Sequence, residues 1–125
     1  MNGYSVSIKE VSAALTAKQK IAFKDTTSAI KLDAATQTED VIINPAMWGV
    51  LAIHNDKVKD NPDYDNYIIV DKDGSKYVTG SRSFWSAFSD IYTEMEGEDE
   101  DWSIRVYRCP SKNYSGKDFI TCSII

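Results

Sequence analysis

The chain is poor in the residues that build metal and disulfide sites, with one histidine and two cysteines in 125 residues. His54 has no cysteine or second histidine near it, so it cannot complete a zinc site and reads as a structural histidine. Cys109 and Cys122 form no CxxC pair, and both fall in strand-like stretches, which predicts reduced thiols that serve packing. No apolar run approaches the ~20 residues that span a bilayer. The opening MNGYSVSIKE lacks a basic region followed by an apolar one, so a cytoplasmic chain without a secretory leader is expected. P-loop, GxGxxG, GxSxG and HExxH motifs are all missing. The expectation is therefore a protein that is not an enzyme and carries no cofactor and no metal.

What is present is enough apolar material for a core: 42% hydrophobic residues, with 3 Trp, 7 Tyr and 4 Phe. That composition excludes a disordered, collagen-like or coiled-coil chain, and the length suits a single domain over 1–125. The net charge of −5 is unevenly distributed. Residues 1–32 carry five basic and two acidic groups, 33–101 five basic and sixteen acidic, and 102–125 four basic and one acidic. Basic ends flank an acidic middle, so a fold that joins the ends would offer a positive face on an acidic protein.

Tyr4, Val6 and Ile8 alternate with polar residues as in a half-buried strand. Thr16 is placed to cap a short helix through AKQKIAFK, although KIAF also alternates, and SAIKLD suggests a short strand. The run Val41–Ile43 is β-branched, Asn44-Pro45 reads as a turn, and Met47 to Ile53 as a strand in which Gly49 marks a bulge or close backbone approach. DKVKDNPDYDN reads as a polar, mobile loop. NYIIV and SKYVT flank DKDG, a hairpin with Gly74 in the turn; the alternating Asp71 and Asp73 lack the further ligands of a calcium loop. Phe84, Phe88, Ile91 and Met95 recur at helical spacing, with Ser81 or Ser83 as the cap and Gly97 as the stop. Two strands, DWSIRVYRC and DFITCSII, close the chain. Trp102, Ile104 and Val106 should then face the core and Arg105 and Tyr107 the solvent. This order predicts a mostly β fold: a small barrel or curved sheet plugged by one helix. The five-stranded OB-like barrel, with its main α-helix before the last two strands, fits it.

Binding unpaired nucleic acid requires cations for phosphates and exposed rings for bases. Arg105, Tyr107, Arg108, Lys112, Tyr114 and Lys117 supply both within one short segment, and Tyr77 is a further ring in the preceding hairpin. An ordinary hairpin with a solvated basic face would show the same residues. The acidic run Glu96 to Asp101 sits on a loop, whereas a metal-dependent nuclease needs carboxylates on rigid strands.

From Asn66 onward the chain resembles the small single-stranded DNA-binding proteins of phages and mobile elements in Gram-positive hosts. The resemblance rests on NYIIVDKDGSKYVTGSRSF, SAFSDIYTEM and above all IRVYRCPSKNYSGKDFITCSII; the segment AKQKIAFKDTTSAIKLDAATQTE is similar to the same group. It implies an OB-like domain that coats single-stranded DNA during replication or transfer, in the host cytoplasm, with replication proteins as partners and without catalysis. One departure is clear: housekeeping bacterial relatives end in an acidic tail that recruits partners, whereas this chain ends in the apolar ITCSII. The competing expectation is a small acidic inhibitor that imitates DNA, favoured by the carboxylates of the middle segment.

Overall fold

The computed structural model describes residues 3–110 and 118–125. Along the chain run β1 (Tyr4–Val11), α1 (Ala17–Lys24), β2 (Ile30–Lys31), α2 (Leu32–Ala35), β3 (Val41–Ile43) and β4 (Pro45–Asn55). They are followed by β5 (Asp63–Asp71), β6 (Lys76–Thr79), α3 (Arg82–Met95), β7 (Ile104–Pro110) and β8 (Asp118–Ile124). The chain divides into two compact units, one from Met1–Ile30 and Ala46–Gly80, the other from Lys31–Pro45 and Ser81–Ile125.

The first unit is built on a five-stranded sheet of order β1-β4-β5-β6-β2. β1 pairs antiparallel with β4, Val6 opposite Ile53 and Ile8 opposite Leu51, and the register shifts between Ile8 and Glu10. Helix α1 starts with a reciprocal cap: the Gln19 amide N–H donates to Thr16 Oγ1 and the Thr16 amide N–H to Gln19 Oε1. Its one buried residue, Phe23, joins Leu51, Ile53, Ile68 and Val78 in the core. Gly49 is needed there because a Cβ would fall 2.6 Å from Cε2 of Phe23 and 3.0 Å from the Glu10 carbonyl oxygen. The expected close approach at Gly49 is thus the seat of the Phe23 ring.

Three polar devices finish this unit. The β5–β6 hairpin turns on Gly74 at φ 94°, with Asp71 Oδ1 accepting from the Asp73 amide and Asp73 Oδ1 from the Ser75 amide. Lys76 Nζ donates to the carbonyls of Ala22 and Asp25, closing the C-terminal end of α1. Burial at that post lowers the Lys76 pKa, against the opposing pull of Asp25. The polar loop is shorter than its composition predicts, because β5 begins at Asp63. His54 spans its base, 2.6 Å from Asp63 Oδ1 through Nδ1 and 2.6 Å from Asp56 Oδ1 through Nε2. Only the doubly protonated ring can donate to two carboxylates at once, and Asp63, then Asp56, hold its pKa above the ordinary value.

The second unit packs α3 along β8 of a three-stranded sheet ordered β3-β7-β8. Ser81 caps α3 by accepting from the Phe84 amide, and Gly97 follows the helix at φ 85°. Ser83 Oγ donates to the Ile120 carbonyl, tying the first turn to β8. Phe84 and Phe88 are fully buried, their ring centroids 6.0 Å apart, with Ile43, Ile104 and Val106 equally enclosed. Trp102 packs on Phe88 at 6.4 Å, but it precedes β7 and is only half-buried, whereas the alternation of the segment predicts a buried strand residue.

The fold is mostly β, with the main helix directly before the last two strands, as the order of apolar patterns predicts. The eight strands among the described residues form two sheets, and no closed barrel is found. Asn44 stands where the chain leaves β3 of one sheet for β4 of the other, so the expected turn is a change of sheet. SAIKLD contributes only the two residues of β2 before α2 begins. No helix among the described residues is long and apolar enough to cross a membrane.

Candidate nucleic-acid interface

β7 is the central strand of the three-stranded sheet, so its side chains alternate between two faces with neighbours on both sides. Ile104 and Val106 are fully buried while Arg105 is exposed, in agreement with the expected alternation. Residues directly opposite one another in the ladder share a face. Register therefore puts Ile42, Arg105 and Ser123 in one row of the outer face, Tyr107 and Thr121 in the next, and Cys109 and Phe119 in the third. Ile42 is 49% exposed and Phe119 39%, a high value for large apolar side chains on a sheet.

Arg105 and Tyr107 act as a pair. The guanidinium carbon lies 4.5 Å from the Tyr107 ring centroid, a cation–π contact. Tyr107 Oη and Ser123 Oγ are hydrogen-bonded at 2.7 Å, which fixes the ring against β8. Asp40 Oδ2 stands 3.8 Å from Arg105 Nη1, a distance that leaves the cation loosely held at a half-exposed site. Phe119, diagonal to Tyr107 across β7 and β8, adds a second ring on the same face. The face thus presents two aromatic rings, one guanidinium and the small hydroxyls of Thr121 and Ser123. Chemically it can stack planar groups and neutralise an anion beside them.

Arg108 has a different position and different work. It stands opposite Ile120, on the face that carries Val106 and Cys122, not with Arg105 and Tyr107. Its Nε donates to Thr36 Oγ1 at 3.2 Å, Nη1 to Asp118 Oδ1 at 2.8 Å and Nη2 to the Asp33 carbonyl at 2.5 Å. Thr36 in turn donates to the Leu32 carbonyl at 2.7 Å. The Arg108 side chain, 23% exposed, thereby fastens α2 to β7 and β8. Tyr77 belongs to the other compact unit, on β6 opposite Ile69, where burial raises its pKa ahead of smaller effects from Asp71 and Asp73. Lys112, Tyr114 and Lys117 lie outside the described residues.

The two cysteines are free and occupy opposite faces of the β7–β8 ladder. Cys122 faces the core, and burial pushes its thiol up to about 12. Among the described residues no cluster of three His, Cys, Asp or Glu side chains is arranged to hold a metal.

Phe119 and Ile42 were missed by sequence reasoning. The signal for Phe119 was available: it shares the period-two phase of Thr121 and Ser123, the polar face of that strand. Ile42 had no such signal, since a three-residue apolar run does not reveal its phase. Comparison of the chain with family models, with curated proteins and with solved structures gives no match.

Proposed function

We propose that this protein binds single-stranded DNA without sequence preference, during phage or mobile-element replication in the host cytoplasm, with replication proteins as further partners. The observation that carries the reading is the Arg105–Tyr107 pair on an open sheet face beside the exposed Phe119 ring. Unpaired bases stack on such rings at roughly 1–3 kcal/mol each, and every base offers a π face, so the mode tolerates any sequence. Duplex DNA keeps its bases stacked internally and gains only the phosphate contacts. Lys112, Tyr114 and Lys117, which lie in the sequence between β7 and β8, belong to the same proposal. Arg108 supports the site by positioning β7. An OB-like arrangement is part of the proposal, with the five-stranded sheet as its candidate wall.

Fluorescence anisotropy with labelled oligo-dT and with a duplex of equal length tests the reading. The expected result is saturable binding to oligo-dT, weaker binding to the duplex, and a shallow salt dependence of about −0.7 in log–log slope per neutralised phosphate. Equal affinity for both nucleic acids, or none for oligo-dT, would sink the proposal. A second reading draws on the exposed acidic run of residues 96–101, with five carboxylates in six residues. A protein that imitates DNA would bind no oligonucleotide and would instead compete with DNA for a partner enzyme.

A further inference from the structure

In the first compact unit an open groove of about 470 Å³ runs between β1 and α1. Its apolar lining comes from Ile8, Val11 and Leu15, and its charged lining from Lys9, Lys20, Lys24 and Glu10. We infer that this groove is a second contact for single-stranded DNA, in which Lys20 and Lys24 neutralise the phosphodiester backbone. The inference rests on the single-stranded DNA reading and extends it to residues that reading does not use.

Three observations support it. First, the cations are available. Lys9 is held by Asp65 at 2.9 Å, but Lys20 and Lys24 form no ion pair among the described residues, and both are exposed. They stand at i and i+4 on α1, so they project from one side of the helix.

Second, helix stability does not account for the charge of α1. AKQKIAFK carries three lysines and no acid. A helix dipole favours anions in the first turn and cations only in the last. Lys24 suits its place at the C-terminal end, but Lys18 and Lys20 gain nothing there. The helix also buries only Phe23 and leaves Ile21 68% exposed, so its outer side is both basic and apolar.

Third, the charge is out of character for the molecule. A chain of net −5 concentrates five basic against two acidic groups in residues 1–32. A phosphate backbone with attached sugars and bases matches such a surface, as cations meet the phosphates and the apolar lining meets the sugar or base.

The test compares the whole protein with Lys20→Gln/Lys24→Gln and with Lys20→Arg/Lys24→Arg, measuring oligo-dT affinity from 20 to about 200 mM salt. The glutamine variant should bind more weakly and lose about 1.4 from the log–log salt slope, two phosphates at about 0.7 each. The arginine variant should keep the wild-type slope, because it keeps both charges. Thermal unfolding of each variant verifies that these exposed changes leave the fold intact. If wild-type protein binds oligo-dT and the glutamine variant keeps the same slope, the groove assignment is wrong while the DNA reading stands. If wild-type protein binds no oligo-dT, both fall together. If the glutamine variant changes only the oligomeric state on gel filtration, the groove belongs to contacts between copies, and the inference is overturned.

Discussion

Tyr107 sits on the outer face where one ring serves both the fold and the proposed contact, and replacement by Ala and by Phe tells the two apart. Replacing it with Ala removes the ring, the hydrogen bond between its Oη and Ser123 Oγ, and the support of the Arg105 guanidinium. One hydrogen bond contributes about 0.5–1.5 kcal/mol to stability, and an exposed cation–π contact about 0.5–1 kcal/mol. The variant should therefore unfold about 1–2.5 kcal/mol more easily and still be folded at room temperature. Its affinity for oligo-dT should drop by one base stack, about 1–3 kcal/mol or roughly 5- to 150-fold in Kd. Tyr107→Phe provides the control: it keeps the ring and loses only the hydroxyl. It should give up about 0.5–1.5 kcal/mol of stability while binding almost as the wild type does. Urea unfolding and anisotropy on the same preparations measure both quantities. If Tyr107→Ala is destabilised and binds oligo-dT unchanged, stacking on this face is refuted. If Tyr107→Phe loses as much affinity as Tyr107→Ala, the hydroxyl rather than the ring makes the contact, and the basis for sequence tolerance is gone.

Arg108→Gln should destabilise by about 1.5–3 kcal/mol, the range for hydrogen bonds to a charged group, and leave the salt slope of binding unaltered; a reduced slope in a folded variant would make Arg108 a phosphate ligand. Gly49→Ala should cost about 1–3 kcal/mol through overpacking against Phe23, and a neutral result in urea unfolding would contradict that account of the core. The pKa of His54 is raised in the folded chain, so its contribution to stability is full below the unfolded value near 6.5 and disappears as pH rises through the folded pKa. NMR titration of this single histidine should place it above 6.5, and Asp63→Asn should lower it more than Asp56→Asn; the opposite order would mean that the second carboxylate dominates. Both thiols should react in denatured, unreduced protein, with Cys109 faster than Cys122 in the native state because Cys122 is buried with its thiol near 12; fewer than two reactive thiols after denaturation would reveal a disulfide.

Local physics made several elements legible in advance. The α3 stripe with its Ser81 cap, the hairpin about Gly74 and the Thr16 cap of α1 each depend on residues within a few positions of one another. The outward phase of Arg105 and Tyr107 follows from strand alternation alone, and it carries the part of the site that the sequence already suggested. Strand alternation also separates Arg108 from Arg105, although a list of basic residues groups them by number. The partners that occupy Arg108, Thr36 and the Asp33 carbonyl, stand more than seventy positions away and carry no mark in its own segment.

What the chain alone determined is therefore local geometry: the helical period of α3, the caps of α1 and α3, the hairpin turn at Gly74, and the sides that Ile104 to Tyr107 take on β7. Tertiary structure decided the sheet membership of each strand, because long-range pairing is chosen by the summed fit of distant faces. It separated β3 from β4 at Asn44 and placed Phe23 over Gly49, where no local pattern announces either outcome. It also turned the polar base of the β4–β5 connection into a clamp, since His54 acquires its raised pKa only when Asp56 and Asp63 meet it from both sides. Position along the chain sets what each side chain offers, while the company it keeps in the fold sets its charge, its exposure and its use.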